Sequence, residues 1–106
     1  MSNYKDHIRG EVSKNLIINH LILAGYEVLN EGSAQGLIDL VAVENKTGAT
    51  YFIDCKCLSR RANGSRVDRV LKQGQKDLAE KSGLPFILAY ADAQTNKVEI
   101  PKLGIK

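Results

Sequence analysis

The sequence predicts a single α/β domain, a central mixed β-sheet flanked by helices in the order α-β-β-β-α-β, with room for a short terminal strand. Three observations carry this. Two apolar runs, GLIDLVAVE (Gly36–Glu44) and TYFIDCKC (Thr50–Cys57), flank the turn-like Asn45–Lys46–Thr47–Gly48 and read as a hairpin. A third run, PFILAYA (Pro85–Ala91), does not alternate and reads as a strand buried on both faces. The stretch between the second and third runs has the length of a helical crossover, which parallel neighbours require.

The remaining elements follow in order. Residues from about Asp6 to Ala24 read as a helix, with Gly25 as its stop. Leu16, Ile17, Ile18, Leu21, Ile22, Leu23 and Ala24 cover almost its whole circumference, so the helix is expected either in the core or against another subunit. Tyr26–Leu29 reads as a short strand and Asn30–Gly36 as a polar loop carrying Ser33 and Gln35. Ser65-x-x-Asp68 has the form of a capping box opening a second helix that ends near Ser82, before Gly83 and Pro85. Val98–Ile100 is the candidate last strand, and Leu103–Ile105 an exposed apolar tail.

At 106 residues the chain has the size of one domain, with no repeat or linker. No stretch approaches the roughly 20 apolar residues of a membrane span, and Met1–Gly10 lacks a signal peptide's apolar centre. Cys55 and Cys57 alone make neither a zinc cluster nor a disulfide framework, which points to reduced cysteines and a cytoplasmic protein (nucleoid-associated, or in host cytoplasm if viral). No phosphate-binding loop or dinucleotide fingerprint is present, so no nucleotide cofactor is expected. The net charge of +3 hides an asymmetry: Lys56–Lys76 holds seven basic residues and one acid. Such a segment is the footprint of a phosphate-binding surface, or else a solvated face.

The chemistry concentrates on the hairpin. Asp39 and the Asp54–Cys55–Lys56 triplet place ionisable groups inside strand-like apolar runs, where a charge must be paired or metal-bound. Alternation puts Asp54 and Lys56 on one face and Cys55 and Cys57 on the other. A turn centred between Lys46 and Thr47 would set Asp39 opposite Asp54 at about 5 Å, two carboxylates that call for a cation. A three-residue loop with a glycine bulge would instead pair Asp39 with Cys55 and separate the carboxylates, unless a bulge compensates. In the first arrangement Asp39, Asp54 and the Cys55 carbonyl supply hard oxygen ligands for Mg²⁺, and Lys56 supplies a fixed ammonium. That combination suits hydrolysis of a phosphodiester.

With Glu11 ahead of them, GLID-L and ID-C-K resemble the PD-(D/E)xK nuclease superfamily. The wider pattern G-Y-x-V … D-L-V-A … D-x-K … Q … G-x-P-F is most similar to archaeal-type and phage Holliday junction resolvases, from Gly10 to about Asp92. The resemblance implies a restriction-endonuclease-like core, Mg²⁺ dependence with Mn²⁺ as substitute, cleavage of branched DNA, and a homodimer. Ile38 stands where the first motif usually has proline, and Asp54 stands for the commoner glutamate. Glu11 precedes Gly25 by fourteen residues, one turn earlier than the family's helix glutamate. It still shares a stripe with Ile18 and Ile22 that could face the sheet. Gln75, at the edge of the expected apolar stripe, fits the family's helix glutamine better than Gln73. Arg60, Arg61, Arg66, Arg69, Lys72 and Lys76 are the candidate DNA contacts.

Overall fold

The structure, a computed structural model, describes residues 4–30 and 36–105, with side chains from Ile8 onward. Ser33 and Gln35 lie outside the described residues. Helix α1 (Tyr4–Leu23) leads through Gly25, at φ +97°, into β1 (Tyr26–Asn30). Strands β2 (Leu40–Glu44) and β3 (Thr50–Cys57) form the hairpin. Helix α2 (Gln73–Ser82), β4 (Phe86–Asp92), β5 (Lys97–Glu99) and a 3₁₀ turn (Pro101–Leu103) complete the chain. The five strands lie in sequence order in one mixed sheet, with β3 and β4 parallel and every other pair antiparallel. The predicted crossover is therefore present.

Alternation sorts the sheet into two faces. Leu40, Ala42, Ile53, Ala89 and Ala91 are fully buried beneath Ile17 and Leu21 of α1. Ser13 sits on the same arc of the helix, and its Oγ lies 3.4 Å from Cys57 Sγ. The opposite face carries Asp54 and Lys56, beside α2. Strand β4 is covered on both sides, as its lack of alternation predicts: Ile87 and Ala89 are buried toward α1, Phe86 and Tyr90 on the other face.

Helix α1 is buried along one arc only within this chain, since Ile22 is 54% and Leu23 86% exposed, with Ile8 and Val12 also outward, so of its two expected placements it does not lie wholly inside the core. Two expectations need correction. The apolar tail is not exposed: Ile105 bridges to Ile100, and Leu103 and Ile105 pack on the core. The second helix begins at Gln73, eight residues after the expected cap. Ser65 does not cap a helix, because its N–H and hydroxyl both bind Asn63 Oδ1 (3.1 and 2.7 Å). Arg66 is drawn away to Asp68 and Glu99, while Val67 N–H donates to the Ser59 carbonyl (2.8 Å). These tertiary and local bonds hold residues 59–72 out of helical geometry, so a capping pattern with weak local value loses.

Candidate active site

The hairpin adopts the first of the two registers, with Leu40 opposite Ile53 and Val43 opposite Thr50. Glu44 N–H donates to the Ala49 carbonyl and Gly48 N–H to the Glu44 carbonyl, both at 2.8 Å. The loop is thus four residues long, with Gly48 in the left-handed region at φ +75°. Asp39 lies one step beyond the ladder. Its N–H donates to the Ile53 carbonyl (3.1 Å), the residue Leu40 already opposes, so two residues face one in a β-bulge. Asp39 does not pair squarely with Asp54. Its carboxylate instead turns back onto β3, where Oδ2 accepts the Cys55 N–H (2.7 Å) beside the Asp54 carboxyl.

Asp54 is 7% exposed, and its Oδ2 is buried with no hydrogen-bond partner. The Lys56 ammonium lies 3.4 Å from that oxygen, close enough to attract it without completing a hydrogen bond. Burial, and next the Asp39 carboxyl, push the Asp54 carboxyl above the usual carboxylate range; Lys56 and Gln75 pull it the other way. Two neighbouring carboxylates, one of them buried with an unpartnered oxygen, share a single nearby ammonium, so the pair is short of positive charge. Asp39 and Asp54 therefore fit a divalent cation. Among the described residues no third His, Cys, Asp or Glu joins them. Mg²⁺ accepts such a sparse set, because it commonly uses one or two carboxylates and completes its shell with water and substrate phosphate. The Cys55 thiol points to α1, where burial raises its pKa strongly, so only its backbone is placed to contribute.

Gln75 is 3% exposed, inside the fold rather than at the edge of α2. Its Nε2 donates to the Leu37 carbonyl (3.0 Å), and its Oε1 accepts the Lys72 N–H (2.8 Å). One amide thus joins the segment entering Asp39 to the start of α2, next to Asp54. The second bond is the half of a capping box that remains when the N-cap is lysine, whose side chain cannot accept. Gly74 permits the approach: a Cβ there would meet Leu37 Cδ1 at 3.3 Å. Gln73 is exposed and bonds Asp77 (2.9 Å). Leu37 escaped the sequence reading, although a glycine in the first turn of α2 was a signal of close packing.

Glu11 is not brought to this site. The buried arc of α1 centres on Ile17, flanked by Ser13 and Leu21, and Glu11 lies about 120° away around the helix. It is exposed, on the helix covering the opposite face of the sheet, and forms no three-acid group with Asp39 and Asp54.

The basic residues divide into two sets. Arg60 and Arg66 both bind Glu99, Arg66 at 2.6 Å, and Lys97 lies 3.6 Å from the same carboxylate. Arg66 also bonds Asp68 (2.8 Å) and stacks over Tyr90, 4.8 Å from the ring centroid. The Tyr90 hydroxyl accepts the Arg69 N–H (2.9 Å). Arg60 and Arg66, both among the candidate DNA contacts, thus fasten the 59–72 segment to Glu99. Arg61, Arg69, Lys72 and Lys76 are exposed and form no ion pair among the described residues.

No protein-family model and no curated protein matches this chain. A solved structure does. The chain resembles the bacterial homing endonuclease I-Ssp6803I, with a TM-score of 0.57 and 15% identity, covering 97% of this chain and 69% of that one. The domain therefore has a fold similar to that of an endonuclease. At this identity the likeness concerns the path of the backbone, and side-chain roles rest on the geometry above.

Proposed function

We propose that this chain is a Mg²⁺-dependent DNA endonuclease, selective for branched substrates in the manner of Holliday junction resolvases. The observation that carries the reading is the Asp39–Asp54 pair, with its orphaned oxygen and Lys56 on the same face, in a fold similar to that of a homing endonuclease. The bulge and the Cys55 N–H fix Asp39. Lys56 projects its ammonium beside Asp54, where it can stabilise negative charge growing on a phosphate. Gln75 holds the floor of the site through Leu37. A divalent ion bound by Asp39, Asp54 and the Cys55 carbonyl would polarise the phosphate and acidify a water. Labelled four-way junction, flap, nicked and linear duplexes incubated with Mg²⁺ test the proposal. Preferred cutting of the junction supports it, cutting of ordinary duplex alone leaves an endonuclease without branch selectivity, and no cutting of any DNA removes it.

DNA binding should run through the unpaired cations. Replacing Arg61, Arg69, Lys72 and Lys76 with alanine is expected to weaken binding to every DNA substrate alike. The slope of log affinity against log salt should flatten by about one unit per lost phosphate contact. An unchanged slope in a titration of the quadruple variant would mark these residues as merely solvated.

Two symmetric cuts need two sites, and a two-fold dimer supplies them. Ile8, Val12, Ile22 and Leu23 lie on the outer side of α1 and offer the surface for a second copy. Ile22→Glu with Leu23→Glu is expected to halve the mass seen by light scattering. A monomeric wild type, with and without junction DNA, would remove the dimer and with it the resolvase reading.

A further inference from the structure

We infer that a recess beside β4 receives one unpaired nucleotide of the DNA, next to the phosphate held at Asp54 and Lys56; this rests on the nuclease reading above. The recess has a volume of about 260 Å³ and opens between residues 66–71, β4 and the 3₁₀ turn. Leu71, Phe86, Leu88 and Pro101 give it apolar walls, and Arg69 and Lys102 stand beside them. Both cations are exposed and make no ion pair among the described residues. The charge of Arg66, which also borders the recess, is already matched by Asp68 and Glu99. Apolar walls with free cations at the side match a nucleotide, whose base wants burial and whose phosphate wants positive charge.

Position and size narrow the occupant. The parallel register sets Leu88 beside Asp54 and Tyr90 beside Lys56, so two residues lining the recess stand on the strand next to the reactive pair, the two backbones being about 4.8 Å apart. Its volume is below the range of about 300–1,000 Å³ that holds drug-sized ligands, which suits one base and not a paired segment. A stacked and paired base cannot enter; an extruded one, or one already unpaired at a branch, can. The recess thus gives a small domain a way to prefer interrupted duplexes without reading sequence.

The test compares three short DNAs in Ca²⁺ by fluorescence anisotropy: a paired duplex, the same duplex with a one-nucleotide 2-aminopurine bulge, and the same bulge without its base. The wild type is expected to bind the bulge roughly tenfold more tightly than either control, the effect of burying one base. In L71W, which fills the recess, the bulge-to-duplex ratio should fall to about one. Lys102→Ala, on the surface, should lower that ratio severalfold should L71W fail to fold. Equal affinity for the base-containing and abasic bulges, or an unchanged ratio in both variants, overturns the recess. Mg²⁺-dependent cutting of the paired duplex alongside such a result would leave the nuclease reading intact. Absence of both cutting and binding with every DNA would overturn the two together.

Discussion

Asp54→Asn is expected to abolish Mg²⁺-dependent cleavage while raising the stability of the metal-free fold. Loss of a single electrostatic group at a phosphoryl site costs about 10²–10³ in rate, and a group that also holds the cation should cost at least that. The stability effect has the opposite sign from most core substitutions. Without a cation, the folded state must hold a proton at Asp54 or keep its buried charge beside the half-buried Asp39 carboxyl, offset by Lys56 alone. A carboxyl whose folded pKa lies above its unfolded value contributes stability below the unfolded value, about 3.9, and loses it as pH rises through the folded value. In chelator at neutral pH the asparagine variant should therefore melt above the wild type, with the gap closing toward pH 4. Lys56→Ala should also abolish cleavage but lower the melting point in chelator, because it strips Asp54 of its nearby cation. Mg²⁺ should raise the melting temperature of the wild type and not of Asp54→Asn. Mn²⁺ should support turnover, and Ca²⁺ binding without efficient turnover. Wild-type cleavage by Asp54→Asn, or full activity in excess chelator, would remove the metal-site reading.

Glu99→Ala is expected to be the most destabilising single change outside the apolar core. Burial opposes ionisation of Glu99, but hydrogen bonds from Arg66 and Arg60, with their charges, outweigh it and hold its carboxyl below the usual range. Removing the acid leaves two arginines facing each other across the base of the 59–72 segment. Breaking a buried pair by deleting one partner costs about 3–5 kcal/mol. Arg60 and Arg66 are partly exposed, which favours the lower end. About 3 kcal/mol in a domain of this size corresponds to a fall of roughly 15 °C in melting temperature. The pH dependence also has a sign: stability from Glu99 is present above its unfolded pKa and is lost as pH falls through the depressed folded value. DNA binding should fall too, since Arg69 hangs on Tyr90 within the segment that Glu99 fastens. A melting point within about 3 °C of wild type would show that the network contributes little.

The strands were legible because their apolar runs are strong and bounded by clear turn residues. The β3 run, TYFIDCKC, coincides with the strand, and the strand–helix–strand spacing specified the parallel pair. Asp54 and Lys56 were legible for the same reason, since side-chain direction follows from alternation alone. The expected stripe put Gln75 at the edge of the buried face; Gln75 is buried and Gln73 exposed, although residues 65–72 of the expected helix are not helical.

By itself, the amino-acid order determined where the strands run, though not where each begins, which face Asp54 and Lys56 share, and that charge is embedded in an apolar sheet. Those properties are local: they follow from periodicity of two, from turn residues and from the cost of burying charge. Only the tertiary structure decided the bulge that re-aims Asp39, the arc of α1 that meets the sheet, and the start of α2. It alone turned Arg60 and Arg66 from surface cations into the clasp on Glu99, and Gln75 into a tie between Leu37 and Lys72. Each of these depends on a partner distant along the chain: 39 residues for Arg60 and Glu99, 38 for Gln75 and Leu37. Local propensities differ by about 1 kcal/mol or less, and contacts to buried or charged groups exceed that. The distant contacts therefore decide wherever the two disagree.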